Sequence, residues 1–576
     1  MVLTTLDYTI LIAFFVVSLL IGILVARKSG KNAESFFLSG RNMPWWLLGI
    51  SMVATTFAAD TPNFVAGLIR EQGVYGNWIW WSFLLTGLVT VFFYARLWRK
   101  SGITTDLEFY ELRYSGKSAA FLRGFRAIYL GVFFNVVIMA NVCLAAIKIG
   151  HVMFGFSEFQ SLFIACSVTG IYSMLGGLRG VLITDFIQFF IAMAGSIWAA
   201  VFIVNHEAVG GLDVLLDSPL VKEKMHFFPD FSNWEIVVPM LIIPLAVQWW
   251  SVWYPGAEPG GGGYIAQRML AAKNEKHATW ATLFFNFAHY AIRPWPWIII
   301  GLASLVVYPD LLSLQTAFPD FNPDYVKNDL SYPAMLRLLP AGLLGLVITS
   351  LVAAFMSTIS THLNWGSSYV VNDFYARFIK KSAGEKEKVL IGRISTFVML
   401  LLAALLALVL EEAIEAFQLL LQIGAGTGLL FIMRWFWRRI NPYSEITAML
   451  VSFIIAVFFF VNGKLETPIV TMAPHWQLVV GVVVTTFSWI AITFVTPMTN
   501  QKTIETFEKL IFEDKSKFHH FGFKILAFFA ALIGIYSVLF ATGYYLYGNY
   551  YVANVLVFIA LICIIILVKL RKKILV

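Results

Sequence analysis

The stretch that decides the fold is Ser51-Met52-Val53-Ala54-Thr55-Thr56-Phe57-Ala58-Ala59-Asp60-Thr61-Pro62-Asn63-Phe64-Val65, in the middle of an apolar run over 45–69. The run is long enough to cross a bilayer core of about 30 Å as one helix. Yet it carries a carboxylate and a proline at its centre. Thr61 before Pro62 has the pattern of a helix N-cap followed by proline at the first helical position. A half-helix therefore starts inside the bilayer, and the half before it ends near Ala54 to Phe57 with free carbonyls. A simple proline kink is the alternative. Asp60 favours the break, because a carboxylate at mid-membrane is costly unless it serves a function. Irregular backbone at that depth is tolerated only where it lines a cavity or is buried in protein.

The rest of the chain is of the same kind. Of 576 residues, 59% are hydrophobic and 13% are charged, and the mean hydropathy is +0.78. A soluble domain carries about 25% charged residues, so a large soluble enzyme is excluded, as is a disordered chain. The formal net charge of +8 would hint at nucleic acid in a soluble protein. In a membrane protein the distribution of charge matters more than its sum, and the expected partner is the lipid bilayer rather than nucleic acid. Cys143, Cys166 and Cys563 lie in apolar runs and form neither a CxxC pair nor a disulfide framework. The first apolar run, Leu6 to Ala26, is too long for a cleavable signal and has no basic residue before it.

Fifteen helices are predicted, over 6–26, 45–69, 77–97, 121–149, 157–176, 181–205, 235–254, 277–308, 335–373, 389–410, 414–436, 445–462, 476–497, 522–544 and 549–570. Charge tests the count. With the N-terminus outside, alternate loops should be cytoplasmic and basic. The eight inside segments so assigned hold 33 of the 41 Lys and Arg, Arg268 among them. The outside segments hold Arg70, Lys148, Lys222, Lys224, Lys327, Arg337 and Lys464, and Arg293 alone remains within a span. An all-α polytopic protein of the plasma (inner) membrane follows, with its C-terminus cytoplasmic. The stretches 206–234, 309–334 and 498–521 read as loops. There is no Walker A motif, GxSxG elbow or HExxH pair, and no strand precedes Gly260 to Gly263 to make a phosphate cradle. The chain is read as a non-enzyme.

Two further spans carry signs of function. The seventh holds Pro239 and Pro244, with Pro255 beyond, and Gln248-Trp249-Trp250-Ser251 between. The ninth holds Ser357, Thr358, Ser360 and Thr361, at a spacing that shares one helical face. Membrane Ser and Thr usually bond their own backbone. A cluster of four beside a mid-membrane Asp also suits a hard monovalent cation. The breaks in the second and seventh spans are five spans apart. Interrupted helices at matching places in two halves point to a secondary transporter with inverted repeats.

Six motifs in order carry a family resemblance: Trp45-Trp46; Gly102-Ile103-Thr104-Thr105 with Glu108-Phe109 and Arg113-Tyr114; Gly176-Gly177, Thr184-Asp185 and Gln188; Gln267-Arg268 with Ala271-Ala272-Lys273; Ala353-Ala354 with Met356-Ser357-Thr358; and Gly424 to Gly428 with Trp435 to Arg439. Over about residues 5–460 the chain resembles the sodium/solute symporter family, which includes the sodium/glucose, sodium/proline and sodium/sialic acid cotransporters. The resemblance implies a LeuT-type fold with a 5+5 inverted repeat. One helix and its loop (1–44) would precede a ten-helix core (45–440), and four helices (441–576) would follow. It implies no cofactor, with Na+ as coupling ion and a small polar organic solute as cargo. The implied sodium ligands are the carbonyls of Ala54, Phe57 and Ala354 and the hydroxyls of Ser357 and Thr358. Two-sodium members imply a second site at Asp185, Ser360 and Thr361.

The resemblance places the substrate positions at Thr61, near Trp80, near Gln248, near His289 with Arg293 one turn on, and at Phe417 or Gln418. Asp60 joins them by its depth. The contact set of the sugar-transporting members is not preserved, and the insertion Pro255 to Gly263 blurs the register near Gln248. The tryptophans Trp78, Trp80, Trp81, Trp249, Trp250 and Trp253 offer either stacking faces for a sugar ring or packing and interfacial belts. A sugar or polyol is favoured, with an amino acid or carboxylate as the alternative. A membrane sensor on the same scaffold would need an appended signalling domain, and the sequence ends seven residues after Lys569. Arg293 is expected to face the cavity or a carboxylate, with Asp60 and Asp185 nearest by depth; snorkelling to an interface is the alternative. Asp185 needs compensation for its charge, and no Lys or Arg lies on its helix face. A second sodium would supply it, and a protonated Asp185 bonded to Ser360 is the alternative. With a second sodium, uptake against sodium concentration is sigmoidal and Asp185→Asn makes it hyperbolic; a hyperbolic wild-type curve, with one sodium per solute by reversal potential, rejects it.

Overall fold

In lipid every backbone N–H and C=O must find its partner within the protein, and apolar segments meet that demand as helices. The computed structural model describes residues 3–29, 32–56, 58–251, 258–319, 326–409, 422–513 and 520–574. Among these residues there is no sheet, only a single backbone pairing of Met43 with Ala272. Among the described residues, eleven helices are long and apolar enough to cross a membrane.

Helix α1 (Thr5–Ser29) leads into two half-helices, α2 (Trp45–Thr56) and α3 (Thr61–Glu71). Next come α4 (Val74–Ser101) and α5 (Gly116–His151). Helix α6 (Glu158–Val204) is interrupted at Gly177, whose φ of 52° and ψ of −165° are not helical. The sequence places two spans here, 157–176 and 181–205. A β-carbon on Gly177 would come within 2.8 Å of the Phe36 carbonyl oxygen. Helix α7 (Trp234–Trp250) and the half-helix α8 (Gly263–Ala271) flank a second interruption. Then come α9 (Glu275–Val307), α10 (Leu343–Ile379) and α11 (Glu385–Ala407), followed by the short α12 (Gly428–Met433). Helices α13 (Pro442–Lys464), α14 (Pro474–Val495), α15 (Gln501–Phe512), α16 (Phe521–Leu546) and α17 (Tyr550–Ile574) complete the chain.

Both predicted breaks are present. α2 ends at Thr56, and α3 begins at Thr61 with Pro62 in its first turn. The second break has a partner that sequence reading missed. The segment 263–271 is placed by the sequence in a cytoplasmic loop, but it forms the half-helix α8, buried from Gly263 to Ala271 except at Ile265. It is short and contains Gln267 and Arg268, so hydropathy does not mark it. The two half-helix units are tied where Met43 N–H donates to Ala271 O at 3.2 Å and Lys273 N–H donates to Met43 O at 3.0 Å.

The loop assignments change: Leu212–Asp217 and Pro219–Lys222 are short helices within 206–234, and Leu311–Ala317 is one within 309–334. Residues 498–521 include the amphipathic α15, which buries Ile504, Phe507 and Ile511. The connection before α2 holds a short helix, Ala33–Leu38, with Phe36, Phe37 and Leu38 buried. It is anchored by Ala33 N–H to Glu385 Oε2 at 2.8 Å and by Gln267 Nε2 to Phe37 O at 3.1 Å.

Helix α1 packs on α6 and α10. Its Asp7 is buried, and Oδ1 accepts the N–H groups of Gly342 and Gly345, both at 2.7 Å. These are orphan donors at the start of α10, so a carboxylate from another helix acts as their cap. Gly345 is required there, because a β-carbon would meet Asp7 Cα at 2.6 Å. Asp7→Ala is expected to cost about 1–2 kcal/mol, the worth of a lost cap, and to lower the midpoint of thermal unfolding in detergent; an unchanged midpoint would show that α1 docks without it.

Candidate ion and solute site

Helix α10 carries its four hydroxyls inward: Ser357, Ser360 and Thr361 are fully buried and Thr358 nearly so. They meet the end of α2. Thr358 Oγ1 donates to Thr55 O at 3.0 Å, and Thr55 Oγ1 lies 3.0 Å from Thr361 Oγ1. Ala54 and Ala354 are buried as well, and Thr358 of the first sodium set meets the helix end that carries Ala54. Phe57 lies outside the described residues. The donor set is all oxygen, from hydroxyls and from carbonyls freed at the end of a half-helix, and oxygen ligands are what hard cations take.

Asp185, on the second half of α6, is fully buried beside this set. Its Oδ1 accepts from Ser357 Oγ at 2.6 Å and its Oδ2 from Ser51 Oγ at 2.5 Å. Arg268 of α8 is equally buried, with Nη2 3.9 Å from Asp185 Oδ2. Its Nη2 also donates to Thr361 Oγ1 at 2.7 Å, and its Nη1 to Gln267 Oε1 at 3.0 Å. Ser360 Oγ donates to Ser357 O at 3.1 Å. Two sequence inferences are corrected. Arg268 is not a cytoplasmic flanking charge, and Asp185 does have a nearby cation, supplied by another helix. Ser51, Thr55 and Arg268 were missed as members of this network. Ser51 and Thr55 are four residues apart on one helix face, a signal that was available; Arg268 was hidden by the missed half-helix.

Beside the network lies a cavity of about 610 Å³, whose walls include Asp60, Thr61, Trp80, His289 and Arg293. Arg293, on α9, donates from Nη1 to Val53 O at 3.0 Å and from Nη2 to Thr56 O at 3.1 Å. It thus holds carbonyls that the break in α2 leaves without helical donors, while its guanidinium lies 5.0 Å from the Trp297 ring centre. His289 Nδ1 is 3.3 Å from Thr56 Oγ1, and its ring is 5.7 Å from that of Trp80. Gln248 is not on the cavity wall; its amide donates to Ile79 O at 2.6 Å. Gln418 lies outside the described residues, as does Trp253. Of the other tryptophans, Trp78 and Trp81 are buried in packing, with Trp78 Nε1 on Phe227 O at 2.8 Å and Tyr536 Oη on Trp81 O at 2.9 Å.

Charged groups on and near the wall are paired. The cavity reaches Glu71, Lys148 and Asp329, where Lys148 Nζ lies 3.2 Å from Asp329 Oδ2. Glu258, also on the wall, is bound to the buried Arg126, and further buried pairs are Arg434 with Glu445 at 3.5 Å and Arg123 with Asp373 at 2.7 Å. Tyr369 Oη donates to Asp106 Oδ1 at 2.5 Å in the same region.

Two discontinuous helices and a hydroxyl-rich third around a central cavity define a secondary transporter of LeuT-type fold. The chain belongs to the sodium:solute symporter family, whose family model matches residues 36–452. It is 25% identical over 487 residues to sodium/glucose cotransporter 1 of Mus musculus, covering 78% of this chain and 71% of that one. It is 25% identical over 472 residues to the sodium/glucose cotransporter of Vibrio parahaemolyticus, covering 79% and 85%. Sodium/myo-inositol cotransporter 2 of Mus musculus is also 25% identical, covering 78% and 69%. The fold matches a substrate-bound outward-open Na+-coupled sialic acid symporter with a TM-score of 0.71 at 22% identity, over 86% of this chain and 99% of that one. The protein is a multi-pass membrane transporter that couples a solute to Na+, and not an enzyme.

Removing one partner of a buried ion pair costs about 3–5 kcal/mol, more than removing both. Arg268→Gln is therefore expected to lower thermal stability in detergent sharply, and Arg268→Gln with Asp185→Asn to recover most of the loss. A double variant no better than the single would show that the two side chains do not act as a pair.

Proposed function

We propose that the protein carries a sugar- or polyol-like solute into the cell with sodium by alternating access. The observation that carries this is the junction of α2 and α10: Thr358 Oγ1 is bonded to Thr55 O at 3.0 Å, immediately beside the cavity that Thr358 also lines. Sodium held by Ala54, Phe57, Ala354, Ser357 and Thr358 would bridge the broken helix and α10. That bridge stabilises one arrangement of the two repeats, so the ion's binding free energy sets which side of the cavity is open. The cavity reaches Lys148 and Lys327, which the charge pattern assigns to the outside, and Glu258 on its wall is bound to the buried Arg126. This supports an outward-facing arrangement, with N-terminus outside and C-terminus cytoplasmic. The solute enters beside Asp60, Thr61, Trp80, His289 and Arg293. Each sodium entering down about 100 mV contributes about 2.3 kcal/mol from the potential alone.

A sugar or polyol fits the relatives named for glucose and myo-inositol and a wall that combines polar groups with the Trp80 face. An amino acid or carboxylate would use the same machinery. A second sodium at Asp185, Ser360 and Thr361 belongs to the proposal only with Arg268 displaced, since that guanidinium occupies one flank of the carboxylate. The ten-helix core over 45–440 and the four following helices are part of the same proposal, as is a total of fifteen crossings.

Sodium-dependent uptake of a labelled solute panel into proteoliposomes tests the activity. For the ion site, Ser357→Ala with Thr358→Ala removes two of the five proposed ligand oxygens and is expected to raise the sodium concentration for half-maximal uptake about tenfold or more. An unchanged sodium requirement, with normal expression, rejects the assignment.

A further inference from the structure

Asp60 sits at the break between α2 and α3 and lines the cavity. A carboxylate at the start of a helix ordinarily accepts the N–H groups of the following turn. Asp60 makes no such cap to the further N–H groups of α3; only the backbone N–H groups of Asp60 itself and Thr61 lie against its carboxylate. The other acidic groups on the wall are accounted for. Glu258 pairs with Arg126, Asp329 lies 3.2 Å from Lys148, and Glu71 Oε1 accepts from Asn328 Nδ2 at 3.1 Å. Asp60 makes no ion pair among the described residues. The basic group at comparable depth, Arg293, is engaged with the carbonyls of Val53 and Thr56.

A second observation comes from neutral groups. Asn63, three residues along α3, lines the same cavity; it is 4% exposed, and its Oδ1 has no hydrogen-bond partner. Asn141 on α5 also lines the cavity, and its Oδ1 is likewise unpartnered. Amide oxygens and a carboxylate are acceptors only. A solute hydroxyl, donor and acceptor at once, would satisfy the amides but leave the carboxylate without a counter-charge. Charges taken out of water are ordinarily paired, and the attraction strengthens as the site loses water.

We infer that the transported solute carries a protonated amine that seats on Asp60, with hydroxyl groups donating to Asn63 and Asn141: an amino sugar or amino polyol. This rests on the reading of the protein as a sodium-coupled sugar or polyol transporter and narrows it. The cation belongs to the solute, so it leaves with the solute and Asp60 is freed at each cycle.

The test is binding to the full-length, sodium-loaded protein, followed by tryptophan fluorescence at about pH 7, where amines are protonated and carboxylates ionised. Matched pairs are compared: glucose with glucosamine, galactose with galactosamine, and myo-inositol with a monoamino inositol. At least one amino member is expected to bind about tenfold or more tighter than its neutral partner. Asp60→Asn should abolish that preference, and Asp60→Glu, which keeps the charge, should retain it and guard against misfolding. If no amino member binds better than its neutral partner, the inference is overturned. A preference that survives Asp60→Asn overturns it as well, as does an Asp60→Asn variant that only raises the sodium requirement, which would mark Asp60 as an ion ligand. Sodium-dependent uptake of neutral sugars without amine preference would leave the proposed function standing and remove only this inference. Absence of sodium-dependent uptake for every member would remove the proposed function itself.

Discussion

Interrupting a helix within the bilayer leaves backbone carbonyls and N–H groups without helical partners, and no water is at hand to satisfy them. The structure is organised around that constraint at the end of α2. Arg293 reaches from α9 to the carbonyls of Val53 and Thr56, and Thr358 from α10 to that of Thr55. The same polar backbone that would be a liability in lipid becomes the meeting point of three helices. An ion bound among these carbonyls and hydroxyls would therefore bear on how the helices sit against one another, which is what coupling requires.

The buried charges follow a related logic. Asp185 and Arg268 are both wholly removed from solvent, where an isolated charge of either sign is prohibitively costly. They come from α6 and α8, and Ser51, Ser357 and Thr361, from α2 and α10, bond to them. A pair of this kind contributes little net stability, because desolvation offsets the attraction. What it does is fix the relative placement of the elements that carry it, and these are the elements that frame the ion site. Arg126, Arg123 and Arg434 are likewise buried with carboxylate partners, Arg70 donates to Ser304 O at 3.0 Å, and Lys148 lies beside Asp329 on the cavity wall.

Much of this was legible in the residues themselves. Runs of apolar sequence long enough to cross a bilayer can take few forms there, so the helical class, the segregation of Lys and Arg and the break at Asp60-Thr61-Pro62 could be read locally. The hydroxyl face at 357, 358, 360 and 361 was legible for the same reason, since a helix repeats every 3.6 residues whatever surrounds it. Tertiary structure alone decided which groups meet. The half-helix 263–271 is too short and too polar to declare itself by hydropathy, and its Arg268 looks like any other cytoplasmic flank until folding turns it toward Asp185, 83 positions away in the chain and 3.9 Å away in space. Likewise Trp78, Trp80 and Trp81 are equivalent as sequence, yet only Trp80 lines the cavity, because α16 covers the other two. Helix formation is a short-range property of the chain. Pairing across a cavity depends on how whole helices pack, and one sequence does not display that separately from its fold.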